Sequence, residues 1–591
     1  MLGNNVYAGS ALFSCRNART IGASANICYN DGYIGAICDH KSGGICMHWM
    51  NEYPRPQFRR ESFLSLDGEW MLNGLPINVP YPPESRLSGY AGTITDALEY
   101  ERTFTLPEGF LPAGYRLILH FGAVDQVAEV FVNGKSAIRH EGGYLPFSVD
   151  ITDHILPGEN RLRVHAVDTL SHDYPYGKQK KDRGGMWYTP VSGIWQSIWM
   201  EAVPEKRIES LSILPDLTGI TLTAHFSCET CTATIPGAGR FECENGEPVR
   251  IDIPEPHLWT PEDPFLYPLL LESGNDKVES YFALRTVETD VVNGHACVRF
   301  NGKPLFLNGV LDQGYFEDGI YLPDSPAAYE TDILNMKALG INMLRKHCKV
   351  EPEAFYYACD RLGMLVMQDM VNSGGYNFIF DTALPTVGFQ WRPDCLRGNT
   401  ETLRHAFFTR HALDTQSHLY NHPCVIAYTI FNEGWGQFEA DRHYRMLKDK
   451  DPSRLYDATS GWFAQRESDF DSKHVYFRNK VLKGRDKPLF LSECGGFARP
   501  IPGHMFNPSN KYGYGTANSE EALTAMIEKM WDEMVFPSID RGLCGIVYTQ
   551  VSDVEDEVNG FYTYDREICK VTPDRLRALA EKAQKRLEER K

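Results

Sequence analysis

The chain has 591 residues, of which 42% are apolar and 12% aromatic, so it is too long for one core and too apolar for disorder. Its net charge of −19 disfavours nucleic acid as a partner, and no run of eighteen apolar residues offers a membrane span. The fifteen cysteines are scattered, and the Cys228/Cys231 pair has no second pair at zinc spacing, so they read as reduced thiols of a cytoplasmic protein.

In chain order, residues 1 to about 48 carry a short apolar patch but neither a basic n-region nor a periodic apolar face. They read as an extension without a core, and residues 1–50 are left unassigned. From 51 to 203 the chain reads all-β, with short alternating runs such as "YRLILHFGAV", "QVAEVFVNG" and "NRLRVHAVD". Residues 204–292 form a second all-β block, with "GITLTAHFSC" and "SYFALRTVE", at the size of an immunoglobulin-like β-sandwich.

From 293 to 591 strands and helices alternate. The strand candidates are "PLFLNGV", "INMLRK", "MLVMQDM", "CVIAYTIFNE", "RLYDATS", "DSKHVYF", "PLFLSE" and "CGIVYTQ". Several are continuous apolar runs, as a parallel sheet buried on both faces demands. Eight such strands with helices between them predict a (β/α)8 TIM barrel. The last helix is expected to start with Thr572 as N-cap and Pro573 in its first turn, with Leu576, Leu579 and Ala583 on one face.

Catalytic groups of such barrels sit at the C-terminal ends of the strands. Those ends carry Asp312 and Gln313, Arg345 and His347, Asn432 and Glu433, Ser460 and Trp462, His474 and Tyr476, Glu493, and Tyr548 and Gln550. Glu433 and Glu493 end strands four and seven, so they can face one another across the mouth. Two such carboxylates suit glycosidic cleavage, one attacking or activating water while the other protonates the departing oxygen. Arg345 is placed to hold one of them ionised. No HxH, HExxH or DxD run sits at a strand end, so no metal ligand is assigned.

In order, "LRKH", "IFNEGWG", "SGW", "HVYF" and "FLSECGG" resemble the barrel of glycoside hydrolase family two, the β-galactosidase, β-glucuronidase and β-mannosidase group. Upstream, "LDGEW", "GGYLPFSVDIT" and "WYTPVSGIWQSIWME" look like its β jelly-roll sugar-binding domain, and "LWTPEDPFLY" like its immunoglobulin-like domain. The resemblance implies a retaining double displacement, with carboxyl groups about 5–5.5 Å apart rather than about 6.5–9.5 Å. Glu433 matches the acid/base position, Asn432 its neighbour on the sugar 2-hydroxyl, and Glu493 the nucleophile. Tyr476 matches the tyrosine bonded to the nucleophile, and Arg345 the arginine of strand two. His474, Trp462, Asp312 and Tyr548 complete the expected substrate-binding set.

There are departures from the family pattern. His347 stands one place early and no proline follows, so its role is left open. The third strand ends "QDM" where many members carry a glutamate. Val558 and Asn559 stand where family glucuronidases carry a lysine, which argues against that activity. The expected activity is therefore an exo-acting β-glycosidase, first β-galactosidase-like, with β-glucuronidase, β-mannosidase or arabinosidase as alternatives. A non-catalytic carbohydrate-binding protein would lack one of the carboxylates, and both are present. The sequence requires no cofactor, is compatible with a divalent cation, and leaves a homo-oligomer open. The aromatic, glycine-rich loop 372–394 is expected to shape the subsites for the carbohydrate substrate.

Overall fold

The computed structural model describes residues 49–386, 388, 389, 394 and 402–590. The predicted extension, residues 1–48, and part of the loop 372–394 lie outside them. The described chain starts at Trp49, whose indole is buried and donates to the Pro323 carbonyl at 3.1 Å. It meets Tyr329 edge-on at 6.3 Å, so Trp49, left in the unassigned stretch by its lack of periodicity, is a barrel contact.

The first domain packs a six-stranded sheet on a four-stranded one. The larger is ordered Leu75–Val79, Gly68–Leu72, Ala97–Thr105, Glu159–Val167, Val127–Val132 and Lys135–Glu141, all antiparallel. Alternation sends Leu162, Val164 and Ala166 into the core between the sheets. The second domain has seven strands in sheets of three and four, around Ile220, Leu222, Leu269 and Leu271.

The sequence boundary at 292/293 falls inside a hairpin. Val287–Val292 pairs with His295–Phe300 across a turn at Asn293 and Gly294, both with positive φ (52° and 79°). "NG" there is a two-residue turn and not a linker. Val287, Val298 and Phe300 belong to the barrel's core, so this hairpin closes its lower end.

Eight parallel strands follow: β1 (Leu307–Asp312), β2 (Met343–Lys346), β3 (Leu365–Asp369), β4 (Val425–Asn432), β5 (Leu455–Ser460), β6 (Asp471–Val475), β7 (Leu489–Gly495) and β8 (Leu543–Thr549). They run side by side in the order β5-β4-β3-β2-β1-β8-β7-β6. Side chains bridge the seam between β5 and β6: the Ser472 hydroxyl donates to Asp457, and Ser460 Oγ lies 3.0 Å from His474 Nε2. Every residue of β4 is buried, the signature of a parallel strand covered on both faces. The last helix, Pro573–Glu589, buries Leu576, Leu579 and Ala583 as expected. The Thr572 hydroxyl does not cap it and donates to Glu520 at 3.0 Å. None of the described helices is long and apolar enough to cross a membrane.

Two buried side chains are prominent among the contacts that hold the second domain on the barrel. Arg285, fully buried, donates to the Pro423 and Val425 carbonyls at 3.1 and 3.0 Å, beneath β4. Trp259 of "LWTPEDP" is wholly buried and its indole donates to the Asp360 carbonyl at 2.8 Å. Trp259→Ala removes a large buried ring and leaves that carbonyl unbonded, so it should cost roughly 3–5 kcal/mol. Chemical denaturation should show a lower midpoint for the variant; coincident curves would mean that this interface does not hold the domains.

Candidate active site

The site is built at the C-terminal mouth of the barrel. Arg345, on β2, is fully buried and bonds in four directions. Its Nε and Nη2 donate to the two Asp369 oxygens at 2.9 and 3.1 Å, a bidentate pair. Nη1 donates to Glu493 Oε1 at 3.2 Å and to the Ser492 carbonyl at 3.0 Å, and Nη2 also to Asn432 Oδ1 at 2.9 Å. Burial alone would lower the Arg345 pKa, but the Asp369 and Glu493 charges raise it above its usual value.

Glu493 is 5% exposed. The Tyr476 hydroxyl donates to its Oε2, and Tyr476 also lies 3.2 Å from Thr549 Oγ1. Burial would raise the Glu493 carboxyl, but His474, Arg345 and the Tyr476 hydroxyl together hold it well below the usual carboxylate range. Asp369 is likewise brought down, burial being outweighed by Arg345 and by His347, whose Nδ1 stands 2.6 Å from Asp369 Oδ2. His347, whose role the sequence left open, lines the cleft and holds Asp369, while burial pushes its own pKa down.

Glu433 follows β4 with φ of 54°, the left-handed region that non-glycine residues seldom occupy. Its amide still donates to the Ser460 carbonyl at 3.0 Å, so the turn comes at the very end of the ladder. Gly434 and Gly436 have φ of 70° and 68°, and a Cβ on them would come within 2.2 Å of the Phe463 ring and 2.0 Å of the Ser373 carbonyl. The "NEGWG" glycines therefore turn the glutamate out of the strand into the cleft. Between them, the Trp435 indole donates to the Gly374 carbonyl at 2.9 Å, as does the Tyr176 hydroxyl of the first domain at 2.8 Å. Trp187 of the same domain packs edge-on against Trp435 at 5.0 Å.

His474, at the end of β6, links the two glutamates. Its Nδ1 lies 2.8 Å from Glu433 Oε1 and 3.5 Å from Glu493 Oε2. One oxygen of each glutamate and a His474 nitrogen lie within 4.8 Å of one another. Trp462 packs against His474, ring centres 5.7 Å apart. The cleft around them has a volume of about 830 Å³.

Asp312 and Tyr548 do not join this group. Leu311 and Gln313 line the cleft, so Asp312 between them points the other way, where Lys346 and the Gly314 amide bond its oxygens at 2.6 and 2.9 Å. Thr549 lines the cleft, and Tyr548 one residue earlier is buried behind it, stacked on Phe561 at 4.5 Å. Conversely, three site groups escaped the sequence reading. Asp369 was passed over in "QDM". Lys178 and Glu557 reach the cleft from the first domain and from the loop after β8. The basic run "GKQKKDRGG" was the only sequence signal for Lys178. Burial pushes the Glu557 carboxyl up to about 7, with the Lys178 charge opposing.

Among the described residues, three groups bring histidine, cysteine or acid donors within 4.8 Å of one another: His347–Cys348–Asp369, Glu433–His474–Glu493 and His504–Asp565–Glu567. In the first, the Asp369 oxygens already serve Arg345 and His347.

Three descriptions of one family match the chain: "Glycosyl hydrolases family 2, sugar binding domain" over residues 56–204, "Glycosyl hydrolases family 2" over 223–285, and "Glycosyl hydrolases family 2, TIM barrel domain" over 294–485. A beta-galactosidase of Thermoanaerobacter pseudethanolicus is 26% identical over 46% of this chain and 39% of its own length. A putative beta-glucuronidase of Formosa agariphila is 26% identical over 53% of this chain and 37% of its own. The chain thus spans about two fifths of the length of the curated relatives it matches. A beta-D-glucuronidase structure from Dictyoglomus thermophilum superposes with a TM-score of 0.69 at 18% identity, covering 90% of this chain and 98% of that one. A beta-galacturonidase of Eisenbergiella tayi bound to galacturonate gives 0.66 at 18% identity, covering 89% and 98%. At such identities the likeness is one of fold. The sugar-binding, middle and barrel descriptions fall in the order in which the three domains fold, and the chain belongs to glycosyl hydrolases family 2.

Proposed function

We propose that the chain is a retaining, exo-acting β-glycosidase that releases a terminal β-linked sugar by double displacement. One observation carries the reading: an oxygen of Glu433, just past β4, and one of Glu493, on β7, lie within 4.8 Å of one another, a spacing that suits the shorter of the two separations known for glycosidases. In this reading Glu493, held ionised by its neighbours, attacks the anomeric carbon, and Glu433 gives its proton to the departing oxygen. The C1–O bond breaks as the C1–Oε bond forms, leaving a glycosyl ester and a neutral leaving group. Water then enters beside Glu433, which takes its proton, and its oxygen displaces Glu493 from C1. Two inversions restore the β configuration. In this reading Asn432, held by Arg345, and His474 bond the sugar.

A β-galactoside is the first substrate to test. A β-uronide is the second reading, favoured by Lys178: it lines the cleft, and its charge acts on His347 and Glu557. A cation from the first domain can answer a sugar carboxylate although Val558 and Asn559 stand where the barrel lysine was expected. Aryl β-glycosides differing only in the sugar should separate these readings.

Proton NMR of the first-formed sugar should show the β-anomer, whereas an initial α-anomer would exclude the mechanism. Glu493→Gln should lower kcat by on the order of 10⁴ or more. The fold should survive, because Arg345 keeps its bidentate partner Asp369. A variant with near wild-type turnover would remove Glu493 from the chemistry.

The pH dependence has a definite sign. A carboxyl held below its usual value of about 4.3 stays ionised as pH falls through that value, so the Glu493 limb of kcat/KM lies on its acid side. Tyr476→Phe removes a hydrogen bond to the ionised form, so that limb should move to higher pH while kcat/KM falls roughly 10- to 100-fold. A fall in rate with an unmoved limb would assign Tyr476 to packing alone.

A further inference from the structure

The cleft does not end at the sugar. The leaving group is bonded to the oxygen that Glu433 would protonate, so it must extend from Glu433 towards solvent. That outer part is unusually apolar for an exposed surface. Of the six exposed phenylalanines among the described residues, Phe378, Phe380, Phe389 and Phe477 lie on the two loops that follow β3 and β6. Phe378 and Phe477, 61% and 69% exposed, line the same cleft as Glu433. Burying one such ring against a ligand contributes far more than a scattered surface residue would.

These rings continue an aromatic stair that starts at the nucleophile. Tyr476, which bonds Glu493, stacks on Tyr514 at 4.3 Å, and Phe477 stands edge-on to Tyr514 at 5.1 Å. Beside the stair, Arg478 and Lys480 are exposed, line the cleft, and have no ion pair among the described residues. Lys473, in the same wall, is satisfied by Asp471 at 2.6 Å. Two cations at the cleft mouth without an anion among the described residues stand out on a chain of net charge −19.

We propose that this mouth is a leaving-group subsite for a planar aromatic aglycone bearing a negative charge. The ring lies against Phe477 and Phe378, and the anion faces Arg478 and Lys480. A sugar as leaving group fits less well, because Ala383, Pro385 and Leu482 add apolar wall to the exposed phenylalanine rings, beside Thr382, Arg478 and Lys480. The proposal rests on the glycosidase reading and deepens it by naming the other half of the substrate.

The test uses the full chain and β-glycosides of the sugar it cleaves best, with phenol leaving groups of matched acidity. One phenol is neutral, one carries a carboxylate and one a trimethylammonium group; a disaccharide of the same sugar is the fourth substrate. The carboxylate aryl glycoside should show a kcat/KM about 5- to 10-fold above the neutral one, the cationic one should fall below it, and the disaccharide should be the poorest. Arg478→Ala with Lys480→Ala should erase the carboxylate preference, and Phe477→Ala should lower kcat/KM on every aryl substrate by about tenfold. The first product should remain the β-anomer in each variant, a readout of the catalytic pair that is independent of the subsite. A disaccharide preferred over the aryl glycosides, or a carboxylate preference that survives the double variant, overturns the subsite and leaves the glycosidase reading standing. A folded enzyme that cleaves none of the four overturns both.

Discussion

The site depends on the Arg345 guanidinium being buried and fully engaged. An unpaired charge at the centre of a barrel would cost several kcal/mol, and so would the carboxylates around it. Here one cation answers two of them and also receives Asn432 and a β7 carbonyl, so β2, β3, β4 and β7 are tied at one level. The arrangement leaves Asp369 as the permanent partner and Glu493 as the removable one. In the proposed cycle Glu493 loses its charge each time the ester forms, and Arg345 still has an anion. His347 pins Asp369 from the other side, which keeps the fork from following the departing charge.

The other glutamate is held by backbone instead. A residue at φ of 54° persists only where its surroundings over-determine it. Trp435 supplies that constraint by anchoring the turn to Gly374, and the first domain reinforces it through Tyr176 and Trp187. The sugar-binding domain is therefore part of the catalytic support, and through Lys178 part of the cleft wall. This gives a physical reason for the first domain to remain attached to the barrel that holds the proposed catalytic pair.

How much of this could be read beforehand follows from which signals are local. All eight barrel strands were legible, several from the unbroken apolar runs that a parallel strand covered on both faces needs and the rest from their place in the strand–helix alternation, and the strand-end rule then pointed to Glu433, Glu493, Arg345, His474 and Tyr476. The rule does not fix parity. Asp312 and Tyr548 sit at strand ends too, but one residue out of phase with Gln313 and Thr549, and a period of two sends them behind the sheet. Asp369 was missed because its meaning lies in Arg345, a partner on another strand. Lys178 was missed because nothing near it in sequence shows that its loop crosses to the barrel. The boundary at 292 falls in the "VNGH" turn of a hairpin that packs on the barrel following it, a contact that no local pattern announces.

The two glutamates also differ in access to water, and that difference orders the proposed chemistry. The Glu493 side chain is 6% exposed and ringed by Arg345, Tyr476 and His474, while that of Glu433 is 13% exposed and faces the cleft mouth. In the proposed second step water enters where the leaving group has just left, beside Glu433, the group proposed to take its proton. His474 stands between the two carboxylates, within hydrogen-bond reach of one and 3.5 Å from the other. Retention of configuration would then follow from which side of the sugar the protein leaves open.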